Sequence, residues 1–316
     1  MSAEVTSWKV TLPCTRAEAE AIDAASDLAI DAVLMTTEEV EDDVERWRLD
    51  AYMDAEPDAA MLASLHALVP SASGRDPVVE PLTDADWVAM SQAGLEPIRE
   101  GRFVVHTSAH PVETPEGGRA FLIDAGQAFG TGHHGTTSGC LAMLDRLAVE
   151  GAGFARIIDL GTGTGLLAFA ARHLWPEAAV TATDIDPIAV DVTRENMAFN
   201  EVEEVALIVA DGTRDPAIVA GGPYDLVIAN ILAGPLIAMA PEVAGIAAPG
   251  ATIVLAGLLS NQAAKVVEAY AAQGARETGR DVRGDWTILR LQGAATARPA
   301  AATDASRRGD WATDGR

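Results

Sequence analysis

From Arg156 to Asp186 the chain reads RIIDLGTGTGLLAFAARHLWPEAAVTATDID, a strand, a glycine turn, a helix and a second strand without interruption. Ile157, Ile158 and Leu160 form a short apolar run, and Gly161, Gly163 and Gly165 follow it at every second position. LLAFAARHLW is rich in helix formers, and Pro176 stops it. VTATDID is a β-branched run that ends in carboxylates. This order reads as half of a doubly wound α/β sheet, a class that binds ligands in the crevice outside the carboxyl ends of its strands. Glycine suits the turn because a Cβ there would keep the backbone away from the ligand.

The spacing is G-x-G-x-G, not the G-x-G-x-x-G of pyrophosphate binders. Asp184 ends the second strand, where an acidic side chain can accept ribose hydroxyl protons. An ordinary tight turn in an α/β core, or a nicotinamide or flavin nucleotide site, are the alternatives. The combination of strand, turn, helix and strand-end acid favours S-adenosylmethionine, whose adenosine needs the ribose contact but carries no phosphates.

The flanking sequence extends this sheet. In AFGTGHHGTTSGCLAMLDRL, Gly130 and Gly132 make a loop, and Thr136 and Thr137 stand where a helix begins. A cap alone needs fewer such residues, so the stretch reads as a loop closing over the ligand. Pro187 opens a helix through IAVDVTRENMAFN. ALIVADG is a third strand ending at Asp211, which lies near the adenine or is a simple turn aspartate. YDLVIANILAGPL is the fourth strand and its exit, with Asn230 at the carboxyl end. ATIVLAGLL and WTILRLQG supply later strands, with SNQAAKVVEAYAAQG as a helix after the first.

Before this lies a smaller region. Trp8–Leu12 reads as a strand, Thr15 and Glu18 as the capping box of a helix over about 16–26, and AIDAVLM as a strand. The charged stretch Glu38 to Glu45 reads as a hairpin or exposed edge, and RWRLDAYM as a strand. Met61, Leu62, Leu65, Leu68 and Val69 share one face of a helix, and PVVEPL is a further strand. The order β-α-β-β-α-β predicts a ferredoxin-like domain. It carries no nucleophile, metal cluster or glycine loop, so recognition fits it better than catalysis. The expected divisions are 1–82 for this domain, 83–119 for a linker and bridge, 120–293 for the larger domain and 294–316 for a disordered tail. In the bridge, Asp86-Trp87 opens a connecting helix, and PIREGRFVVHTSA is a strand entering the larger domain.

Composition narrows the function classes. The net charge of -25 argues against direct nucleic-acid binding through a basic surface. Residues 1–120 hold 24 acidic and 8 basic residues, which reflects solubility, a generally acidic proteome, or attraction for a basic macromolecule. No apolar run approaches the roughly 18–20 residues of a membrane span, and MSAEVTSWKV lacks the regions of a signal peptide. Cys14 and Cys140 form no metal or redox pair, and His133-His134 has no companion ligands, so no metal is expected. A reduced, cytoplasmic setting follows.

These stretches resemble the ribosomal protein L11 methyltransferases. The match rests on AFGTGHHGTT, IIDLGTGTGLLAFAA, DIDPIAV with TRENMAFN, and ANILAGPL, in that order, and covers about 120–265. The bridge over 86–106 matches less closely, and the small domain matches in layout more than in sequence. The resemblance implies an α/β fold of class I methyltransferase type, a Rossmann-like doubly wound sheet behind a small ferredoxin-like α+β domain. It implies transfer of methyl groups from S-adenosyl-L-methionine to lysine side-chain and N-terminal amines of ribosomal protein L11, recognised by the small domain. A monomer is expected. Thr137, Gly161, Asp184 and Asn230 carry over as cofactor positions, and Gly163 and Asp211 join them from the reading of the turn and the third strand. Gly135 replaces the family's usual proline after the loop histidine, and Ala125 replaces the proline of Asp-Pro-Gly, which puts the loop geometry in question more than the reaction.

Such a reaction needs a neutral amine. Deprotonating a lysine of pKa about 10.4 at pH 7 costs roughly 4.6 kcal/mol, against about 1.4 kcal/mol for an α-amine near 8. A closed pocket lowers that cost by desolvation, whereas a carboxylate beside the amine would raise it. Asn230 can accept an amine hydrogen bond without adding charge, so it is the expected catalytic residue, acting by positioning. No general base is evident. A methyltransferase for another protein's lysine or a small molecule, and a binding protein with an inactive cofactor fold, are the alternatives. The intact motif argues against the inactive fold. The absence of an aromatic residue after Asn230 disfavours methylation of a flipped base.

Overall fold

The computed structural model describes residues 5–25, 30–39, 44, 46–83, 96–124 and 135–296. The chain divides into two compact units, Met1–Ser91 and Gln92–Arg316.

The smaller unit follows the expected order. Its elements are β1 (Ser7–Cys14), α1 (Arg16–Asp23), β2 (Val33–Glu38), β3 (Trp47–Met53), α2 (Ala59–Leu68), a 3-10 turn at Pro70–Ala72, and β4 (Val78–Leu82). The four strands pair antiparallel in the order β2-β3-β1-β4, the ferredoxin-like arrangement. The capping box forms at α1: Glu18 N–H donates to Thr15 Oγ1 at 3.3 Å and Thr15 N–H donates to Glu18 Oε2 at 2.8 Å. Val10, Leu12, Leu49, Ala51 and Met53 alternate along β1 and β3 onto one face, where they meet Ala19, Ile22 and Leu65 of the helices. The expected strand at AIDAVLM starts only at Val33, and part of the charged stretch after Glu38 lies outside the described residues.

The larger unit holds two sheets. β5 (Ile98–Glu100), β6 (Phe103–His106) and β7 (Arg119–Leu122) form the first. A single strand was expected over PIREGRFVVHTSA; the chain instead reverses at Gly101, which adopts φ +58, so that β5 and β6 pair antiparallel. Phe103, Val105 and Phe121 belong to the main core of this unit, so this part of the expected bridge is a piece of the larger fold. The expected connecting helix at Asp86-Trp87 and the expected tail from residue 297 onward lie outside the described residues.

The second sheet is built from α3 (Gly135–Val149), β8 (Arg156–Leu160), α4 (Leu166–Leu174), β9 (Ala179–Asp184), α5 (Pro187–Phe199), β10 (Val205–Val209), α6 (Pro216–Gly221), β11 (Tyr224–Asn230), α7 (Ala233–Ile246), β12 (Ala247–Leu259), α8 (Ala263–Ala271), β13 (Arg276–Arg283) and β14 (Trp286–Gln292). The strand order is β10-β9-β8-β11-β12-β14-β13, with every pair parallel except those made by β14. The apolar runs are continuous because both faces are covered. Ile157 and Ile228 enter the core beneath α3 and α4, while Ile158 and Val227 enter the core beneath α7 and α8. After β10 the chain crosses to β11 on the other side of β8, and the crevice opens at that reversal. β13 was not foreseen. RETGRDVR has alternating exposure and no apolar face to mark it, and its charges suit an edge position.

Asn200, just past α5, ties the two sheets together. Its Oδ1 accepts from Leu122 N–H at 2.7 Å and its Nδ2 donates to Leu122 O at 2.8 Å. Asn200→Ala leaves both backbone groups of β7 without these partners. The expected loss is about 2 kcal/mol, a fall in melting temperature of roughly 4–8 °C by calorimetry. An unchanged melting temperature would show that the tie carries no stability.

Candidate active site

The glycine turn after β8 is hung from its neighbours by hydrogen bonds. The amides of Gly161 and Thr162 donate to Thr183 O at 2.8 and 2.9 Å. Gly163 N–H donates to Asp184 Oδ2 at 3.0 Å, and Thr193 Oγ1 donates to Gly163 O at 2.9 Å. Asn196 Nδ2 donates to Thr164 O at 2.9 Å. Gly161 adopts φ +72, and a Cβ there would strike Ile231 Cγ2. The turn must therefore be glycine at this position on both conformational and steric grounds.

Gly161, Gly163, Asp184, Asp211 and Asn230 all line one cavity of about 640 Å³ at the crevice. Thr136 lines it as well, whereas Thr137 faces Asn230: Asn230 Nδ2 donates to Thr137 Oγ1 at 3.1 Å. Asn230 Oδ1 is buried at the cavity wall, with no hydrogen-bond partner among the described residues. Asp184, Asp186 and Asp211 put three carboxylates on the wall, and no lysine or arginine is among the described lining residues. A pyrophosphate would meet uncompensated negative charge there, whereas a sulfonium nucleoside meets charge of the opposite sign. A glycine cradle and strand-end acids are groups that suit such a ligand. The remaining wall is apolar, with Ile185, Ile231, Leu232, Pro235 and Met239 contributing.

The match to known proteins follows the same elements. Residues 2–293 match the family described as ribosomal protein L11 methyltransferase (PrmA). A protein of that name from Agrobacterium fabrum is 41% identical over 276 residues, covering 86% of this chain and 94% of that one. Its counterpart in Rhizobium etli is 42% identical over 255 residues, covering 80% and 87%. The chain belongs to the ribosomal protein L11 methyltransferase family. Among solved structures, the ribosomal protein L11 methylase of Lactobacillus delbrueckii subsp. bulgaricus superposes with a TM-score of 0.53 at 27% identity, covering 63% of this chain and all of that one.

Several residues of this methyltransferase site were not singled out from sequence. Thr193 and Asn196 brace the turn from the buried side of α5, and Asn200 continues the same face; their helical spacing within TRENMAFN is the signal that marks them. Trp286 reaches the cavity from β14. The sequence argument from the lack of an aromatic residue beside Asn230 therefore does not describe the cavity, because the sheet imports one from a distant strand. The loop at 125–134, with Gly130, Gly132 and His133-His134, lies outside the described residues, as does Ala125. Gly135, the other departure from the family pattern, is the first residue of α3. Among the described residues no group of histidine, cysteine and acidic side chains could hold a metal ion. No helix among them is long and apolar enough to cross a membrane.

Asp159, at 1% exposure, lies on β8 just before the turn, and Thr162 Oγ1 donates to its Oδ2 at 2.6 Å. Burial raises its pKa from 3.8 to about 7, the Asp184 charge adds to the rise, and bonds from Thr162 and Ala168 oppose it. The folded state thus keeps a proton that the unfolded chain has released between about pH 4 and pH 7. Stability from this group is present below about pH 4 and is lost as pH rises through about 7. Asp159→Asn, which mimics the protonated form in size, should gain melting temperature over the parent as pH rises from about 5 to 8. A difference that is constant across pH would place the ordinary titration of Asp159 in the folded state.

Proposed function

We propose that the protein transfers methyl groups to lysine side-chain and N-terminal amines of ribosomal protein L11, with S-adenosyl-L-methionine as the methyl donor. The observation that carries this reading is the amide of Asn230, fixed by Thr137 at the end of β11 with its carbonyl oxygen uncommitted. The A. fabrum and R. etli relatives, matched over most of their length, bear the name ribosomal protein L11 methyltransferase, which supports the substrate assignment.

Asp184 serves the ribose hydroxyls. Its two oxygens already accept the amides of Gly163 and Asp186 at 3.0 Å each, which fixes the carboxylate and leaves lone pairs for the ligand. Asp211, beside Gly212, serves the adenine end, and Gly161 and Gly163 let the backbone approach. Bound S-adenosyl-L-methionine would supply an activated methyl group, which a neutral amine would take with loss of S-adenosylhomocysteine. The chain's own part is to hold a neutral amine in place. The Asn230 amide, which lines the cavity, presents its unpartnered Oδ1 to an amine N–H that enters beside it and adds no charge, while Ile231, Leu232, Pro235 and Met239 exclude water and lower the amine pKa. The small domain, expected over 1–82, recognises the protein substrate, and its acidity suits a basic ribosomal protein. We assign the protein to the cytoplasm as a monomer with no direct nucleic-acid contact.

Incubation with labelled S-adenosylmethionine and purified ribosomal proteins should label L11; label on another band, or on none, would refute the substrate. Asn230→Asp keeps the shape and adds a charge that favours the unreactive ammonium. Its methyl-transfer rate should fall at neutral pH and recover at higher pH, while Asn230→Ala should be slow without that displacement. If the aspartate variant matches the parent at neutral pH, Asn230 is a strand-end residue with no part in the reaction.

A further inference from the structure

The first turn of α3 carries Thr136 and Thr137 into the site, yet an arginine stands against it. Arg283 Nη1 donates to Ser138 Oγ at 3.2 Å, and Ser138 Oγ donates in turn to Gly135 O at 3.3 Å. A helix N-terminus carries the positive end of the macrodipole, so a cation there works against the helix. No acidic residue lies in the first turn of α3 to offset it. The compensation comes from other strands. Glu100 of β5 accepts from both terminal nitrogens of Arg283, with Nη2 to Oε2 at 3.1 Å and a shorter bond from Nη1 to Oε1. Asp281 Oδ2 accepts from Arg283 Nε at 3.3 Å. The arginine and Glu100 keep only 28% and 20% of their side-chain surface exposed, and the two-bond fork fixes their mutual geometry.

The backbone around this arginine is close-fitting. A Cβ on Gly135 would lie 3.5 Å from Trp286 Cδ1 and 3.7 Å from the Arg283 carbonyl oxygen. At Gly139, one turn on, a Cβ would strike Ile288 Cδ1. The start of α3 therefore packs against the end of β13 at Arg283 and against β14 at Trp286 and Ile288, and the Arg283 fork spans from β5 to the helix hydroxyl. The residue before Ser138 is Thr137, whose hydroxyl accepts from Asn230.

We propose that Arg283 is a positioning residue for the cofactor site: joined to Glu100 and Ser138, it fixes the first turn of α3 and, through Thr137, the amide of Asn230. An unfavourable charge at the helix start is retained because its rigid fork sets the height and rotation of the two threonines. Lysine keeps the charge but loses the fork, so it cannot hold Glu100 and Ser138 in the same geometry. The inference rests on the reading of Asn230 as part of the cofactor site.

The test measures S-adenosylhomocysteine affinity of the full chain by calorimetric titration, without any acceptor protein. Arg283→Lys and Thr137→Val should each weaken binding about tenfold, with melting temperatures near the parent's. Because they act through one bond, the double variant should be less than about threefold weaker than Thr137→Val alone. Ser138→Ala, which removes only the relay hydroxyl, should reproduce the Arg283→Lys effect and stands in for it if the lysine variant does not fold. Multiplicative losses in the double variant, or unchanged affinity in both Arg283→Lys and Ser138→Ala, would overturn the proposal. Unchanged affinity in Thr137→Val and Asn230→Ala would instead refute the underlying reading of Asn230.

Discussion

The site depends on one constraint: a glycine turn with little side-chain matter of its own is held rigid by neighbours on both sides. Thr183 O takes two of its amides and Asp184 takes a third, while Thr193 and Asn196 bond its carbonyls from α5. A turn anchored in this way costs little reorganisation when a ligand binds. It also explains why Asp184 cannot be assigned to ribose alone. The same carboxylate shapes the turn, so its loss disturbs the backbone as well as any ribose contact.

The opposite wall is held differently. Asn230 ends β11, and its amide is oriented by Thr137 from α3. The start of α3 leans on the end of β13 and on β14, and Arg283 of β13 is neutralised by Glu100 from the separate three-stranded sheet. Three parts of the larger unit thus converge on one side-chain amide. In the proposed reaction, the absence of charge on that amide would suit it to an amine that must be neutral to react. Carboxylates line the cavity at Asp184, Asp186 and Asp211, the end assigned to the nucleoside.

Asp159 shows the cost of placing an acid beneath such a turn. Its carboxyl is buried, bonded to Thr162 and close enough to Asp184 to feel its charge, and its pKa stands at about 7. The group that starts the glycine motif in sequence is thereby neutral or charged near physiological pH, which no reading of the linear motif reveals.

The sequence by itself determined the elements whose signal is local. The turn at Gly161–Gly165 needs residues without a Cβ, Thr15 and Glu18 form a capping box within one helical turn, and the β8 and β11 strands are apolar on both faces. It also placed Asp184, Asp211 and Asn230 at strand ends, because a doubly wound sheet brings those ends to one crevice. Only the tertiary structure decided what meets across that crevice. β13 has no apolar alternation, so its place at the sheet edge and the reach of Arg283 to Glu100, far away in sequence, left no local trace. The division of labour between Thr136 at the cavity and Thr137 on Asn230, and the arrival of Trp286 from β14, depend on helix rotation and strand register. Those are set by packing between distant segments, which periodicity along one segment cannot encode.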